Sequence, residues 1–265
     1  IGGAQFRLHT DRIDLKALHS RMKTTRIAGD IDIVNAGDIQ TLRAQLAEAG
    51  MRLDAEATLE NQLVQVKHAR LSAGASRIDL AGSASLAGNR EFKANASAAR
   101  FNPASFGDYP EADINAVVDA SGVLEPDWKV AASFALRPSR LFGQPLSGKG
   151  KLSADARHVS GVAATLALGK NSLDLRGSFG APGERLLWKL DGSQLSALRS
   201  DLYGTVAASG ALSGTMEQPR TTFDVDARGL GWAPKARKAA GGGAVRASGE
   251  AWLAKASAGA PARDI

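Results

Sequence analysis

The feature of this sequence that most constrains its fold is a regular alternation of apolar and polar residues. In the stretch NSLDLRGSFG, residues 171–180, the apolar side chains Leu173, Leu175 and Phe179 are separated by polar residues or glycine. A period of two residues is typical of a β-strand that buries one face and exposes the other. Similar ladders recur along almost the whole chain, and they predict about a dozen or more strands.

The same stretch repeats an earlier one. The sequence SRIDLAGSAS, residues 76–85, matches it at a constant offset of 95 positions, which pairs Gly82 with Gly177. A second match, with an offset of 88 positions, pairs Gly122 with Gly210. A unit of about 90 residues therefore occurs nearly twice. Repeats that each expose an apolar face bury that face by stacking, so we expect an elongated all-β body of rolled sheet rather than a globule.

The composition favours small side chains on the inner face of such a sheet. Aromatic residues are 5% of the chain, whereas glycine alone supplies 29 residues. A sheet with one apolar face hides it by closing on itself, by stacking on another sheet, or by forming a trough that something apolar fills. Small inward residues such as Ala84 and Ala208 suit a narrow trough, although tight solenoid packing uses small residues too. The residues predicted to line the trough are Ile78, Leu80, Val130, Phe134, Val162, Leu166, Leu168, Leu173, Leu175, Phe179, Leu186, Trp188, Val206, Phe223 and Val225.

Helical segments interrupt the alternation at a few places. In GDIQTLRAQLAEAG, residues 37–50, Asp38 is placed to cap a helix and Gly50 to end it. Apolar residues recur there at helical spacing, at Ile39, Leu42, Leu46 and Ala49. We therefore predict one short helix over residues 38–49. The segments DLKALHSRM, residues 14–22, and QLSALRSDL, residues 194–202, predict single helical turns between strands.

The end of the chain differs from the rest. After Trp232 the alternation gives way to a stretch rich in Gly, Ala, Lys and Arg, residues 233–265. Such a composition buries too little surface to offset the entropy of ordering, so we expect disorder or loose association there, and a repetitive β domain over residues 1–232. The abrupt change also fits an out-of-frame end of a longer gene. The chain begins at Ile1 without a leader, and we interpret it as a processed chain or a fragment whose anchor lies upstream.

The sequence offers few groups for catalysis or metal binding. The absence of cysteine excludes disulfides and thiolate metal sites. The histidines His9, His19, His68 and His158 lie in separate segments without metal-ligand spacing, and no Gly-x-Ser-x-Gly elbow is present. The segment GQPLSGKG, residues 143–150, resembles a phosphate loop but lacks the final Ser or Thr and precedes a strand pattern rather than a helix. We predict no enzyme activity, no catalytic residue, no metal and no cofactor.

Two clusters of charge have ordinary explanations. The carboxylates Asp30 and Asp32 lie two positions apart on a predicted strand, so they share a face and point to water. The basic residues Lys235, Arg237 and Lys238 lie in the terminal stretch without the interleaved aromatic residues that stack on bases. Contact with nucleic acid or with anionic lipid headgroups is equally allowed there, and nucleic acid is not an expected partner.

The order of these segments resembles that of a known family. The segment LYGTVAASGALSGTMEQPRTTFDVDARGL, residues 202–230, is similar to the repeat of the TamB family, in the AsmA-like superfamily. It has a Gly-x-hydrophobic strand, a Gly-Ala-Leu-x-Gly-Thr turn, a proline and a strand that closes on Ala-x-Gly-Leu. Residues 166–180 resemble the preceding strand pair, and residues 14–33 resemble the linking turn. The resemblance covers about Phe6 to Trp232.

The resemblance implies both a fold and a function. It implies an elongated β-taco with a hydrophobic groove, anchored in the inner membrane of a Gram-negative bacterium by a segment absent here. Such a scaffold crosses the periplasm, carries phospholipid acyl chains towards the outer membrane, and supports outer-membrane biogenesis and protein assembly or secretion. Its expected partner is an outer-membrane barrel of the TamA type, through parts missing from this chain. The alternative from the residues alone is a structural or adhesive β-solenoid with a dry core.

Overall fold

A computed structural model describes residues 3–232 and 243–252, and these residues form one antiparallel sheet. Each strand pairs with the strands before and after it in the chain, so β1 and β16 are the two edges. Sixteen neighbouring strands at about 4.8 Å give the described sheet a length of about 70 Å. The strands are β1 Ala4–Ile13, β2 Ile27–Ala36, β3 Ile39–Glu48, β4 Met51–Glu60, β5 Leu63–Ala73, β6 Ser76–Ser85, β7 Glu91–Phe101, β8 Ala112–Val123, β9 Lys129–Leu141, β10 Gln144–Asp155, β11 Val159–Leu168, β12 Asn171–Phe179, β13 Leu186–Gly192, β14 Leu202–Gly214, β15 Pro219–Trp232 and β16 Ala244–Trp252.

Helical turns occur in three of the connections. The short helix α1, Leu15–Leu18, joins β1 to β2, and 3₁₀ turns at Pro103–Ser105 and Leu195–Ala197 join β7 to β8 and β13 to β14. The first and third of these confirm the helical turns predicted from the sequence. The three connections are spaced six strands apart. No helix among the described residues has both the length and the hydropathy needed to cross a bilayer.

The predicted sequence repeat corresponds to these six strands. Residues 76–85 are β6 and residues 171–180 begin with β12, and the second match relates β8 to β14. The paired glycines have the same structural role. A Cβ on Gly82 would lie 2.4 Å from the backbone oxygen of Lys93, and one on Gly177 would lie 2.1 Å from that of Arg185. In both copies, glycine therefore lets the next strand approach closely, which is a means of curving a sheet.

A compact hydrophobic cluster lies under the first helical connection. Its buried members come from β2, β3, β4, β5 and the β7–β8 connection, namely Ile27, Leu46, Met51, Ala73 and Phe106. The β1–β2 and β7–β8 connections meet across this cluster, because the Lys23 N–H donates to the Phe106 carbonyl at 2.9 Å. The Asp108 N–H also donates to the Arg21 carbonyl at 2.9 Å. This cluster thus lies at one end of strands β2 to β5.

The prediction of a helix over residues 38–49 is wrong, because this segment is strand β3. The glycines at its ends, Gly37 and Gly50, have φ of 62° and 78° and form the hairpin turns on either side of the strand. Leu42 and Leu46 fit a period of two as well as helical spacing, whereas Ala44 between them fits only the period of two. Pairing with β2 and β4 buries Ala44 and Leu46 and decides between the two patterns.

The expectation of disorder after Trp232 is wrong for part of that stretch. Residues 244–252 form β16, which pairs with β15 from Arg220 to Arg228. Its alternation was missed because the residues on one face are mostly small, namely Val245, Ala247, Gly249 and Ala251. The Arg246 side chain also donates to Asp226 on β15 at 3.0 Å. Residues 233–242 and 253–265 lie outside the described residues.

Candidate functional site

One face of the sheet carries an uninterrupted line of apolar residues and glycines. Residues paired directly across antiparallel strands share a face, so the strand register identifies each line that runs across the sheet. We call the line through Leu175 the central row. Its members, in strand order from β1 to β16, are Leu8, Ile31, Ala44, Ala55, Ala69, Leu80, Ala96, Val118, Phe134, Gly150, Ala164, Leu175, Trp188, Gly210, Phe223 and Gly249.

A second line lies beside the central row on the same face, which we call the apolar face. It runs through Leu173, two positions from Leu175, and it is apolar from β2 to β16. Its members from β1 to β16 are Thr10, Gly29, Leu46, Leu53, Leu71, Ile78, Ala98, Ala116, Leu136, Gly148, Leu166, Leu173, Leu190, Ala208, Val225 and Ala247. Two adjacent apolar lines therefore extend along the long axis of the described sheet.

The trough residues predicted from the sequence all map to the apolar face. Besides those in the two lines, Val162 pairs with Gly177, Leu186 pairs with Leu212, and Phe179 pairs with Val159. The remaining ones, Val130, Leu168 and Val206, lie on the same face by register. Along β13 the residues of this face are half-buried while those of the other face are exposed. The structure thus brings the predicted residues together, and a binding role for them stays a prediction.

The other face, which we call the polar face, carries ion pairs across neighbouring strands. Glu56 on β4 accepts from Arg43 on β3 at 3.0 Å and from Lys67 on β5 at 2.8 Å, and these hydrogen bonds lower the pKa of Glu56 to about 2, with that from Lys67 the larger cause. Further pairs are Arg7 with Asp32, His9 with Asp30, His68 with Asp54, and Arg70 with Asp79. Solvated pairs of this kind keep this face in water and contribute little each to stability.

The aromatic side chains of the central row lie beside glycines, and the sequence did not indicate this arrangement. Phe134 on β9 is opposite Gly150 on β10, and Trp188 on β13 is opposite Gly210 on β14. Phe223 on β15 is likewise opposite Gly249 on β16. The signal becomes visible only when the register is known, because each pair joins residues that are far apart in the sequence.

Buried polar residues fix the helical connections at one end of the strands. Ser76, the first residue of β6, accepts from the Asn102 N–H at 2.9 Å. Asn171, the equivalent residue of β12, accepts from the Gln194 N–H at 2.8 Å and donates to the Gln194 carbonyl at 2.8 Å. Ser76 and Asn171 are only 3% and 5% exposed. The sequence repeat therefore includes the buried polar residue that fixes the helical connection as well as the strands.

A hollow of about 890 Å³ lies against strands β5 to β11. Its lining combines charged side chains, such as Lys93, Asp119 and Lys151, with small residues such as Gly82 and Ala120. This mixed lining differs from the continuous apolar lines, and the sequence analysis did not identify it. It holds charges of both signs and carries no specific ligand geometry.

The histidines do not converge on a common site. His9, His68 and His158 each contact a carboxylate on a neighbouring segment, at 2.7, 2.8 and 2.7 Å, and His9 also lies 3.2 Å from Asp11 on its own strand. The hydrogen bond of the His9 ring to the Asp30 carboxylate is the largest cause that raises the pKa of His9. Among residues 3–232 and 243–252, no group of three or more His, Cys, Asp or Glu side chains could hold a metal ion.

Comparison with known proteins gives a family match over most of the chain. No curated protein and no solved structure matches the chain. The chain does match the N-terminal domain of TamB, over residues 21–249. This match extends from the β1–β2 connection into β16 and covers most of the chain. The chain is therefore a member of the TamB family, whose proteins act in outer-membrane assembly in the Gram-negative envelope.

Proposed function

We propose that this chain is a non-enzymatic segment of a scaffold that carries phospholipid between the inner and outer membranes, with the acyl chains on the apolar face. The observation that carries the proposal is the continuity of the central row from β1 to β16. A row of that kind along about 70 Å offers apolar contact at every strand. The polar face, with its ion pairs, stays in water at the same time.

The size of the side chains on this face supports an acyl chain as the occupant. Most positions of the central row in β3 to β11 are alanine or glycine, which leaves space above the sheet. Burial of apolar surface contributes about 25 cal/mol per Å², or about 0.8 kcal/mol for each CH₂ group. An acyl chain lying along the face gains this at every step, with no residue that binds it at one fixed place. A surface that binds an acyl chain with similar strength at every strand suits transfer of the lipid rather than its retention at one site.

The cellular setting belongs to the same proposal. On the basis of family membership, we propose that the scaffold stands in the periplasm, is held in the inner membrane by a segment outside this chain, and meets an outer-membrane barrel of the TamA type. Its role there is outer-membrane biogenesis and the assembly or secretion of outer-membrane proteins.

Site-specific photo-crosslinking tests the proposal. A photoreactive amino acid at Leu175 on the apolar face is compared with one at Arg176, the next residue on the same strand. After incubation with vesicles of phosphatidylethanolamine and phosphatidylglycerol, mass spectrometry should find phospholipid adducts at position 175 and few at position 176. Adducts at position 176 but not at position 175 would contradict the proposal.

A dry-cored structural solenoid remains the second candidate, and one observation favours it. The cluster around Phe106 is packed and buried, as expected for a core that has no ligand. The buried members of this cluster lie at one end of β2 to β5 and in the β7–β8 connection, whereas the central row continues to β16. The solenoid hypothesis predicts no co-purifying phospholipid and no adduct at either position of the crosslinking experiment.

A further inference from the structure

The aromatic rings of the central row lean along the sheet instead of standing up from it. A Cβ built on Gly150 would lie 2.6 Å from Cε1 and 3.1 Å from Cζ of Phe134, so the outer edge of this ring occupies the place of a side chain at position 150. An upright ring would hold these atoms far from the neighbouring strand, because side chains in strands project roughly perpendicular to the sheet. The ring of Phe134 therefore lies across β10.

The other two rings repeat this arrangement. A Cβ on Gly210 would lie 2.5 Å from Cζ2 of Trp188, and one on Gly249 would lie 3.1 Å from Cζ of Phe223. In each case the ring comes from an odd-numbered strand and leans towards the following strand. The three rings thus point in one direction along the long axis of the sheet.

The direction of the rings sets how much free space remains above the central row. A ring that lies on the neighbouring backbone adds about one van der Waals separation, about 3.5 to 4.0 Å, to the height of the surface. A ring that stands upright extends by its full length into the space an acyl chain needs. A side chain at the neighbouring position forces the upright arrangement, and glycine is the residue that avoids it.

We propose that Gly150, Gly210 and Gly249 determine the clearance of the groove, by keeping Phe134, Trp188 and Phe223 flat so that an unbranched acyl chain passes over them. This inference rests on the proposed function and adds which residues set the width of the path. The aromatic rings then supply apolar surface to the acyl chain without obstructing it.

Gly150 is more suitable than Gly210 for a test. The atoms closest to a Cβ at this position belong to the side chains of Phe134 and Ala164, at 2.6 and 2.7 Å. At Gly210, in contrast, a Cβ would also lie 2.1 Å from the backbone oxygen of Thr222, so a substitution there would disturb the sheet itself. A change at Gly150 therefore acts through the ring of Phe134 and through the Cβ of Ala164, so a rescue has to remove both contacts.

The test uses photoreactive amino acids at Val118, next to Phe134 in the central row, and at Val225, further along the apolar face. Gly150→Val should lower the yield of phospholipid adduct at Val118 about tenfold and leave the yield at Val225 unchanged. The triple variant Gly150→Val, Phe134→Ala, Ala164→Gly, which removes both contacts, should restore the adduct at Val118. Ser147→Val adds the same side chain to the exposed face of β10 and should have no effect.

The outcomes separate this inference from the proposed function. Absence of adducts at both positions in the unaltered chain would overturn both. Adducts in the unaltered chain that survive Gly150→Val at position 118, or that Phe134→Ala together with Ala164→Gly fails to restore, would overturn the clearance role alone. Fluorine NMR of 4-fluorophenylalanine at position 134 supplies a readout without lipid. The change in its fluorine chemical shift between H₂O and D₂O should be larger in Gly150→Val than in the unaltered chain. An unchanged solvent effect would contradict the flat ring.

Discussion

Thr25 and Asp14 hold the β1–β2 connection together by hydrogen bonds in a nearly inaccessible position. The Thr25 N–H donates to Asp14 Oδ1 at 3.0 Å, and the Thr25 hydroxyl donates to the Ile13 carbonyl at 3.0 Å and accepts from the Leu15 N–H at 2.8 Å. The Thr25 side chain is only 1% exposed. The backbone N–H of Thr25 is also the largest cause that lowers the pKa of Asp14.

Thr25→Val should destabilise this connection because it keeps the shape of the side chain and removes the hydroxyl. The Leu15 N–H and the Ile13 carbonyl would lose their partner, at a cost of about 1 to 3 kcal/mol. Urea denaturation and hydrogen exchange at the Leu15 amide measure the effect. Thr24→Val, at the exposed neighbouring position, is the matched control. Equal stability of the two variants would contradict the role of this hydroxyl.

Asn171→Ala should loosen the β13–β14 connection at the 3₁₀ turn Leu195–Ala197. The change leaves the Gln194 N–H and carbonyl without their side-chain partner, and a loss of about 1 to 3 kcal/mol is expected. Lys170→Ala, at the exposed preceding residue, serves as the control in denaturation experiments. Since Ser76 has the equivalent place, Ser76→Ala should act in the same direction at the β7–β8 connection. Hydrogen exchange should become faster only in the β13–β14 connection for Asn171→Ala and only in the β7–β8 connection for Ser76→Ala, which distinguishes the two variants.

Gly82→Ala should destabilise the sheet through close approach of the backbone rather than through strain in φ. The added methyl group would meet the Lys93 carbonyl oxygen at 2.4 Å, and crowding of this kind costs about 1 to 3 kcal/mol. Gly243→Ala is the control, because nothing lies within 4 Å of its Cβ position. Thermal denaturation compares the two variants. A Gly82→Ala protein as stable as the control would show that β7 can move away at no cost.

Acid should lower the free energy of unfolding by protonating Glu56 on the polar face. Its pKa is lowered from 4.5 to about 2 in the folded state, so its ionised form is stabilised by folding. The contribution is present above pH 4.5 and is lost as the pH falls towards about 2. Unfolding free energies measured from pH 6 to pH 2 should therefore converge for the unaltered chain and Glu56→Gln. Glu60→Gln, at the exposed end of β4, is the control, and parallel curves for Glu56→Gln would contradict the prediction.

A charge on the apolar face should disturb lipid binding more than a charge on the polar face. Leu175→Glu places a carboxylate in the central row, where contact with an acyl chain would require it to leave water. Ser178→Glu places the same charge on the polar face of the same strand. Mass spectrometry of co-purified phospholipid should show a clear loss for Leu175→Glu and little change for Ser178→Glu. Equal retention in both would favour the dry-cored solenoid.

The alternation predicted most of the fold because strand faces follow directly from sequence parity. Leu173 and Leu175 share a face in any strand, and repetition of their pattern at Ile78 and Leu80 indicates the same face six strands earlier. The apolar pattern did not identify the strand at residues 37–50, because some of its apolar residues fit a helical period as well as a strand period. Only pairing with the neighbouring strands resolved that case.

The aromatic–glycine pairs of the central row could not be found from the sequence in the same way. The contact between Trp188 and Gly210 depends on the register of β13 against β14, and local patterns do not contain that register. The buried polar residues Ser76 and Asn171 left a weak signal in the sequence. They stand at positions where the alternation of the strand predicts an apolar side chain. Such an exception indicates a buried hydrogen bond, but it does not identify the partner.

The strand order has a consequence for how the length of the molecule is determined. Since every strand pairs with its neighbours in the chain, a hairpin arriving later extends the edge that earlier ones have formed. Each six-strand unit adds about 30 Å along the axis and brings its own anchor for the connection. Duplication or loss of one unit would therefore change the reach of the protein while its cross-section stays the same. The length of the sheet along its axis and the width of its apolar face are therefore set independently in this architecture.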